Sequence, residues 1–141
     1  MAVRTFNLHS LETYSLKSDT VEPRTAFQLG PIDAPLMAAL EDELMLYKKE
    51  HIFRDGDTGV VLRLNQRYVE FVRFGVKGWE HLQDSTGKAV QFATQEYSVD
   101  RVGLRTGVKD ELLKSFSLED IAELAQRIQR LNKLSEDQEK N

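Results

Sequence analysis

Cysteine is absent from this chain, so neither a disulfide framework nor a thiolate metal site can form. Proline is scarce, with three in 141 residues, and no internal repeat or low-complexity linker divides the sequence. One domain is expected, and a chain of this size buries roughly two thirds of its unfolded surface. Long apolar runs are also missing: nothing approaches the roughly 20 residues that cross a bilayer. The opening MAVRTFNLHSLETYSLKSD has no apolar h-region to direct secretion, which places the expected location in the cytoplasm. Nor is there an excess of basic residues. Nineteen Lys+Arg against 23 Asp+Glu give a net charge of -4 and a pI near 5.4. That balance argues against a phosphate-binding surface over the whole molecule, while leaving room for a local basic patch.

Reactive chemistry is equally sparse. His9, His51 and His81 stand in three separate segments, with no i, i+3 or i, i+4 partner to build a metal site. Hydrogen-bonded or solvent-facing imidazoles explain them better. Asp55-Gly56-Asp57 matches only the start of a calcium loop and lacks the later oxygen ligands and closing glutamate, so a turn is the simpler reading. No serine lies in a Gly-x-Ser-x-Gly context, and no glycine-rich run precedes a helix as a phosphate cradle. Glu41, Asp42 and Glu43 occupy successive positions and fan around a helix axis, which suits a solvated face rather than a carboxylate pair. We therefore assign no catalytic, cofactor or metal residue and expect no enzyme.

What is present is a succession of short amphipathic elements. Residues 13–17 and 24–29 alternate, with Tyr14 and Leu16, then Thr25, Phe27 and Leu29, each on one face. The polar Ser18 to Pro23 between them predicts an antiparallel pair. Asp33 is placed as an N-cap with Pro35 in the first turn, and Met37, Leu40, Leu44 and Tyr47 recur at helical spacing, predicting a helix over 35–49. After the turn at 55–59, Val60, Leu62 and Leu64 alternate and predict a short strand. From Asn65, read as an N-cap, the period lengthens. Tyr68, Phe71, Val72, Gly75, Val76 and Trp79 predict a helix over 66–77 with Arg67, Glu70, Arg73 and Lys77 outward, against a composition that would suit a strand. Gly78 then supplies a left-handed helix end, and Trp79 plugs the gap beside it. Asp84-Ser85-Thr86-Gly87 is a polar turn leading to an extended Lys88 to Phe92. Residues 94–108 carry no clean pattern, and 109–116 suggest one or two helical turns. Ser117 with Asp120 is a near capping box, and Ile121, Leu124, Ala125, Ile128 and Leu131 predict a helix over 118–132. The chain thus reads as an N-terminal arm over 1–12, one domain over 13–132 and a polar acidic tail over 133–141.

Arg63, Arg67, Arg73 and Lys77 interleave with Tyr68, Phe71 and Phe74 in a way that could contact a single-stranded nucleic acid. A helix with an aromatic core face and a cationic wet face explains the same residues, and the acidic total favours that explanation. Leu131 and Leu134 continue the last helix's apolar stripe towards its charged end, where a final turn could meet a partner.

The string FGVKGWEHLQDSTGKAVQF, residues 74–92, resembles a signature of small proteins from siphophage tail-gene clusters, several of them tail assembly chaperones. The matching positions are Gly75, Gly78, Trp79, Asp84 and Gly87, followed by Val90 and Phe92. TAFQLGPID resembles that family's early strand before a leucine- and glutamate-rich helix, and the segment from Ser117 onward resembles its closing helix and acidic tail. The stretch from Thr94 to Val108 is longer than the family's pattern. The resemblance implies an α+β fold, a small antiparallel sheet packed by three or four helices with a helical C-terminal part. It also implies a non-enzymatic protein, without cofactor, that binds and shields the phage tape measure protein, with tail tube subunits as a further candidate partner. Self-association stays open. The alternative is a structural virion component of the neck or tail, such as a connector or tail-completion protein; an undetected enzyme ranks third.

Overall fold

A computed structural model describes residues 8–50 and 58–140, with side chains described over 8–42 and 64–133. Within them the chain folds as β1 (Glu12–Tyr14), β2 (Ala26–Leu29), α1 (Ala34–Glu50), α2 (Thr58–Gly75) and β3 (Val76–Glu80). There follow β4 (Thr94–Val99), β5 (Gly103–Val108), α3 (Asp110–Leu113) and α4 (Leu118–Lys140). This is the expected α+β class, with two small antiparallel sheets rather than one: β1-β2-β3 and the hairpin β4-β5.

The β1–β2 pair forms as the alternation predicts, in the register Thr13↔Gln28 and Tyr14↔Phe27. It is shorter than read, because Leu16 turns out of the sheet into the core. Phe27 and Leu29 then face inward beside Trp79 and Val76 of β3, while Thr13, Gln28 and Gly78 occupy the opposite face. Asp33 caps α1 as expected: its Oδ1 accepts the Leu36 N–H at 3.0 Å. Leu36 and Leu40 carry the helix into the core.

The middle of the chain departs from the sequence reading. Val60, Leu62 and Leu64 belong to α2 rather than to a strand, and Asn65 lies inside that helix rather than capping it. Positions 60, 64, 68, 71 and 75 run at spacings of four, four, three and four, so the alternation was a fragment of a longer helical stripe. The turn at Asp55 to Asp57 falls outside the described residues. At its other end α2 stops at Gly75 and passes directly into β3. Gly78 is therefore a strand residue without positive φ, and Trp79 is not at a helix end. The C-terminal carbonyls of α2 are capped from elsewhere: Gly75 C=O accepts the Gly30 N–H at 2.9 Å, and Phe74 C=O accepts from Lys77 Nζ at 2.6 Å.

The segment without a clean pattern, 94–108, is the β4–β5 hairpin, paired from Thr94↔Val108 to Val99↔Gly103. Its three-residue loop holds Arg101 at φ 65 and ends on Gly103 at φ 103. The face turned to α2 is built of Tyr97, Arg105 and Gly107, whose polar and small character hid the strand period. A Cβ on Gly107 would lie 2.9 Å from the Arg73 carbonyl oxygen, so only glycine permits this close approach. Residues 88–92 form no strand of their own; a single bridge, Gln83↔Ala89, closes that excursion.

Helix α4 starts as read, with Ser117 Oγ accepting the Asp120 N–H at 3.1 Å. Ile121, Leu124, Ala125 and Ile128 bury against α2, and the helix runs on to Lys140, beyond the expected end at 132. Gly75 and Ile128 meet where the two helices cross: a Cβ on Gly75 would fall 2.6 Å from Ile128 side-chain carbons. Asn132 is the last buried side chain of α4 among the described residues. No described helix is long and apolar enough to cross a membrane.

Candidate functional site

The motif residues divide between two places. Trp79, Asp84 and Gly87 belong to one unit. Trp79 projects from β3 into the core, 9 % exposed, and packs edge-on against Phe27, Phe92 and Phe116 at centroid distances of 6.1, 4.8 and 5.8 Å. Its indole N–H donates to the Val90 carbonyl at 2.9 Å, tying the return segment to the sheet. At the tip of that excursion Asp84 Oδ1 accepts from the Thr86 N–H, the Thr86 hydroxyl and the Lys88 N–H, and Gly87 adopts φ 85. An open depression of about 370 Å³ lies along this unit, lined by Trp79, His81, Leu82, Val90 and Phe92 among others. Gly75 and Gly78 are elsewhere, in the α2–α4 crossing and on the outer sheet face. The signature is thus a folding device whose glycines serve separate contacts.

The candidate partner-contact residues fare differently. Leu131 packs half-buried against the core, and the side chain of Leu134 lies outside the described residues. Of the interleaved cations, Arg67 and Arg73 are not outward as expected. Arg67 pairs with Glu41 and lies 4.9 Å over the Phe71 ring. Arg73 pairs with Glu70 and Asp110 and lies 4.6 Å over the Tyr97 ring. α1 and the hairpin cover their stems, and their charges are met by carboxylates, which removes them from any phosphate-binding stripe. The Arg63 side chain lies outside the described residues, as does His51. His9 and His81 are exposed and far apart in sequence, and no group of three or more metal-ligating side chains assembles among the described residues.

A second depression has the more distinctive electrostatics. Where the β2–α1 junction meets β3 and β5, a notch of about 100 Å³ is lined by Leu8, Ile32, Asp33, Phe74, Lys77 and Arg105, with Pro31, Leu36 and Thr106 completing it. Arg105 Nε donates to Asp33 Oδ2 at 2.9 Å and its Nη2 to Oδ1 at 3.4 Å, joining the hairpin to the start of α1. Burial alone would raise the Asp33 pKa. The Arg105 and Leu36 hydrogen bonds and the nearby Lys77 charge outweigh it and hold the carboxyl below its usual range. Lys77 runs its stem over Gly30 and sets its ammonium against the end of α2. Desolvation there pushes its pKa below the ordinary lysine value, and Asp33 opposes the shift. Sequence reading had Asp33 only as a cap and Lys77 only as a wet-face cation, and did not single out Arg105. Asp33 and Arg105 are 72 positions apart, so no local spacing could have joined them.

A third polar cluster ties β1 to α4. Tyr14 Oη donates to Glu123 Oε2 at 2.7 Å, the Lys17 N–H donates to the same oxygen at 2.9 Å, and Arg127 pairs with Glu12. Desolvation, followed by the Glu123 hydrogen bond and charge, pushes the Tyr14 pKa up to about 12. This cluster closes the fold. No protein-family model, curated protein or solved structure matches the chain.

Proposed function

We propose that this chain is a phage tail assembly chaperone, acting without catalysis or cofactor in the host cytoplasm. It binds and shields the tape measure protein during tail morphogenesis, with tail tube subunits as a second candidate partner. The reading is carried by the run from Phe74 to Phe92, whose residues resemble that family's signature and whose two ends Trp79 locks together through Val90. Its support from surface chemistry is that Leu8, Leu11 and Leu104 are exposed on an otherwise acidic chain, as a protein that covers apolar helices requires.

The test is co-expression of the full chain with the long helical tape measure product of the same gene cluster. A stable, soluble complex, together with absence of the chain from purified virions, is the expected result. Finding the chain in virions at a symmetric copy number would transfer the assignment to a neck or tail component.

A further inference from the structure

The notch at the β2–α1 junction combines charge and apolar surface in a way that specifies an occupant. Five large hydrophobic side chains are exposed among the described residues, and two of them stand at this place: Leu8 at 44 % and Leu11 at 54 %. Leu8 forms part of the wall. Leu11 and the Lys77 stem converge over Gly30, each lying 3.2–3.4 Å from where its Cβ would stand. Arg105 has a further carbonyl partner, Leu104, at 2.9 Å from its Nη1. Inside this rim the charges do not cancel. Both oxygens of Asp33 are already engaged, by Arg105 and by the Leu36 N–H, while the Lys77 ammonium has, among the described residues, one carbonyl partner for its three donors.

One positive charge is therefore in surplus in a chain whose total is -4. The notch volume of about 100 Å³ equals roughly three waters at about 30 Å³ each, enough for a carboxylate and a methylene group. A phosphate backbone fits less well. The walls are largely aliphatic, and Phe74 is buried rather than offered for base stacking.

We infer that this notch is a recognition site for an acidic, leucine-bearing segment of a partner polypeptide. A carboxylate of the segment sits beside Lys77, and its neighbouring apolar side chains lie on Leu8 and Leu11. The identity of that partner rests on the tail chaperone reading; the site chemistry does not.

The experiment titrates the full-length chain, observed by backbone amide NMR, with a blocked amphipathic peptide of leucine, alanine and glutamate. A counterpart with glutamine at every glutamate position is run alongside. The acidic peptide should shift Leu8, Leu11, Lys77 and Arg105 saturably. Lys77→Gln should weaken it about three- to fivefold, the size of a partly exposed charge pair, while leaving the glutamine peptide unchanged. Leu8→Ser should weaken both peptides alike. Equal binding of the two peptides, indifference to Lys77→Gln, shifts confined to another surface, or preferential binding of an oligothymidylate would each overturn the site. Undiminished capture of the tape measure product by the Lys77→Gln, Leu8→Ser double variant overturns the notch as the holding surface and leaves the chaperone reading standing. Acidic-peptide binding at the notch without any capture of that product does the reverse.

Discussion

At Trp79 and Gly75 two different kinds of packing constraint act within one short stretch of chain. Trp79 fills space among three phenylalanines and also supplies the hydrogen bond that holds Val90. Trp79→Ala should cost about 3–5 kcal/mol, as large core truncations do. Thermal melting checks this; an unchanged midpoint with lost partner binding would make Trp79 a contact residue instead. Gly75 fills no space, and that is its contribution. The fully buried Ile128 has no room to retreat from a new methyl group, so Gly75→Ala should cost about 1–3 kcal/mol despite the higher helix propensity of alanine. A Gly75→Ala, Ile128→Val double variant that regains part of that loss would locate the clash at this crossing. Tyr14 carries a prediction of another kind. Its folded pKa of about 12 stands above the unfolded value of about 10, so its contribution is fully present below pH ~10. The contribution fades as pH rises from there through about 12. Ultraviolet titration of tyrosinate should show one late-ionising tyrosine that Tyr14→Phe removes; identical curves for both proteins would refute the burial and the Glu123 hydrogen bond as its cause.

The elements that were legible are those in which one apolar period dominates and a local cap marks the start. α1 has Asp33 ahead of Leu36 and Leu40, and α4 has Ser117 ahead of Ile121, Leu124 and Ile128. The hairpin β4–β5 was not legible, because its inward face uses Tyr97, Arg105 and Gly107, and its loop lacks a compact glycine pair. The start of α2 was misread because Val60, Leu62 and Leu64 satisfy a strand period over five residues and a helical one only when extended to Tyr68 and Phe71. Gly78 and Trp79 were placed at a helix end because the aromatic stripe runs past Gly75 without a break in hydrophobicity. What ends the helix is the capping of its carbonyls by Gly30 and Lys77, a tertiary event invisible at local range. At the end of α4 the last buried side chain among the described residues is Asn132. Deleting 135–141 should leave the melting temperature within a degree or two of the full chain. A large drop would show that the end of the helix is docked, and loss of partner capture at unchanged stability would assign recognition to it.

Across the whole molecule, the two ends of the described chain are stitched together by polar groups rather than by apolar contact alone. Glu12 meets Arg127, Tyr14 meets Glu123, and Ile32 meets Asn132, pairs separated by 115, 109 and 100 positions. The Asn132 contact is the informative one because it is buried and double. Its Oδ1 accepts the Ile32 N–H at 3.3 Å and its Nδ2 donates to the Ile32 carbonyl at 2.9 Å, so the side chain completes the backbone where β2 has ended and α1 has not begun. A buried peptide group left without both partners costs about 1–3 kcal/mol for each. Asn132→Ala should therefore destabilise the protein well beyond a surface substitution in α4, while Asn132→Asp keeps the acceptor, loses the donor and adds a charge that burial opposes. The predicted order of stability in denaturant unfolding is wild type above Asn132→Ala, with Asn132→Asp recovering as pH falls and its carboxyl protonates. The sign follows from burial, which raises that carboxyl's folded pKa above its unfolded value, so the penalty is relieved below the folded value. Equal stability of Asn132→Ala and wild type, or an Asn132→Asp variant indifferent to pH, would mean that α4 is held by its apolar stripe alone and that the Ile32 junction needs no partner from the far end of the chain.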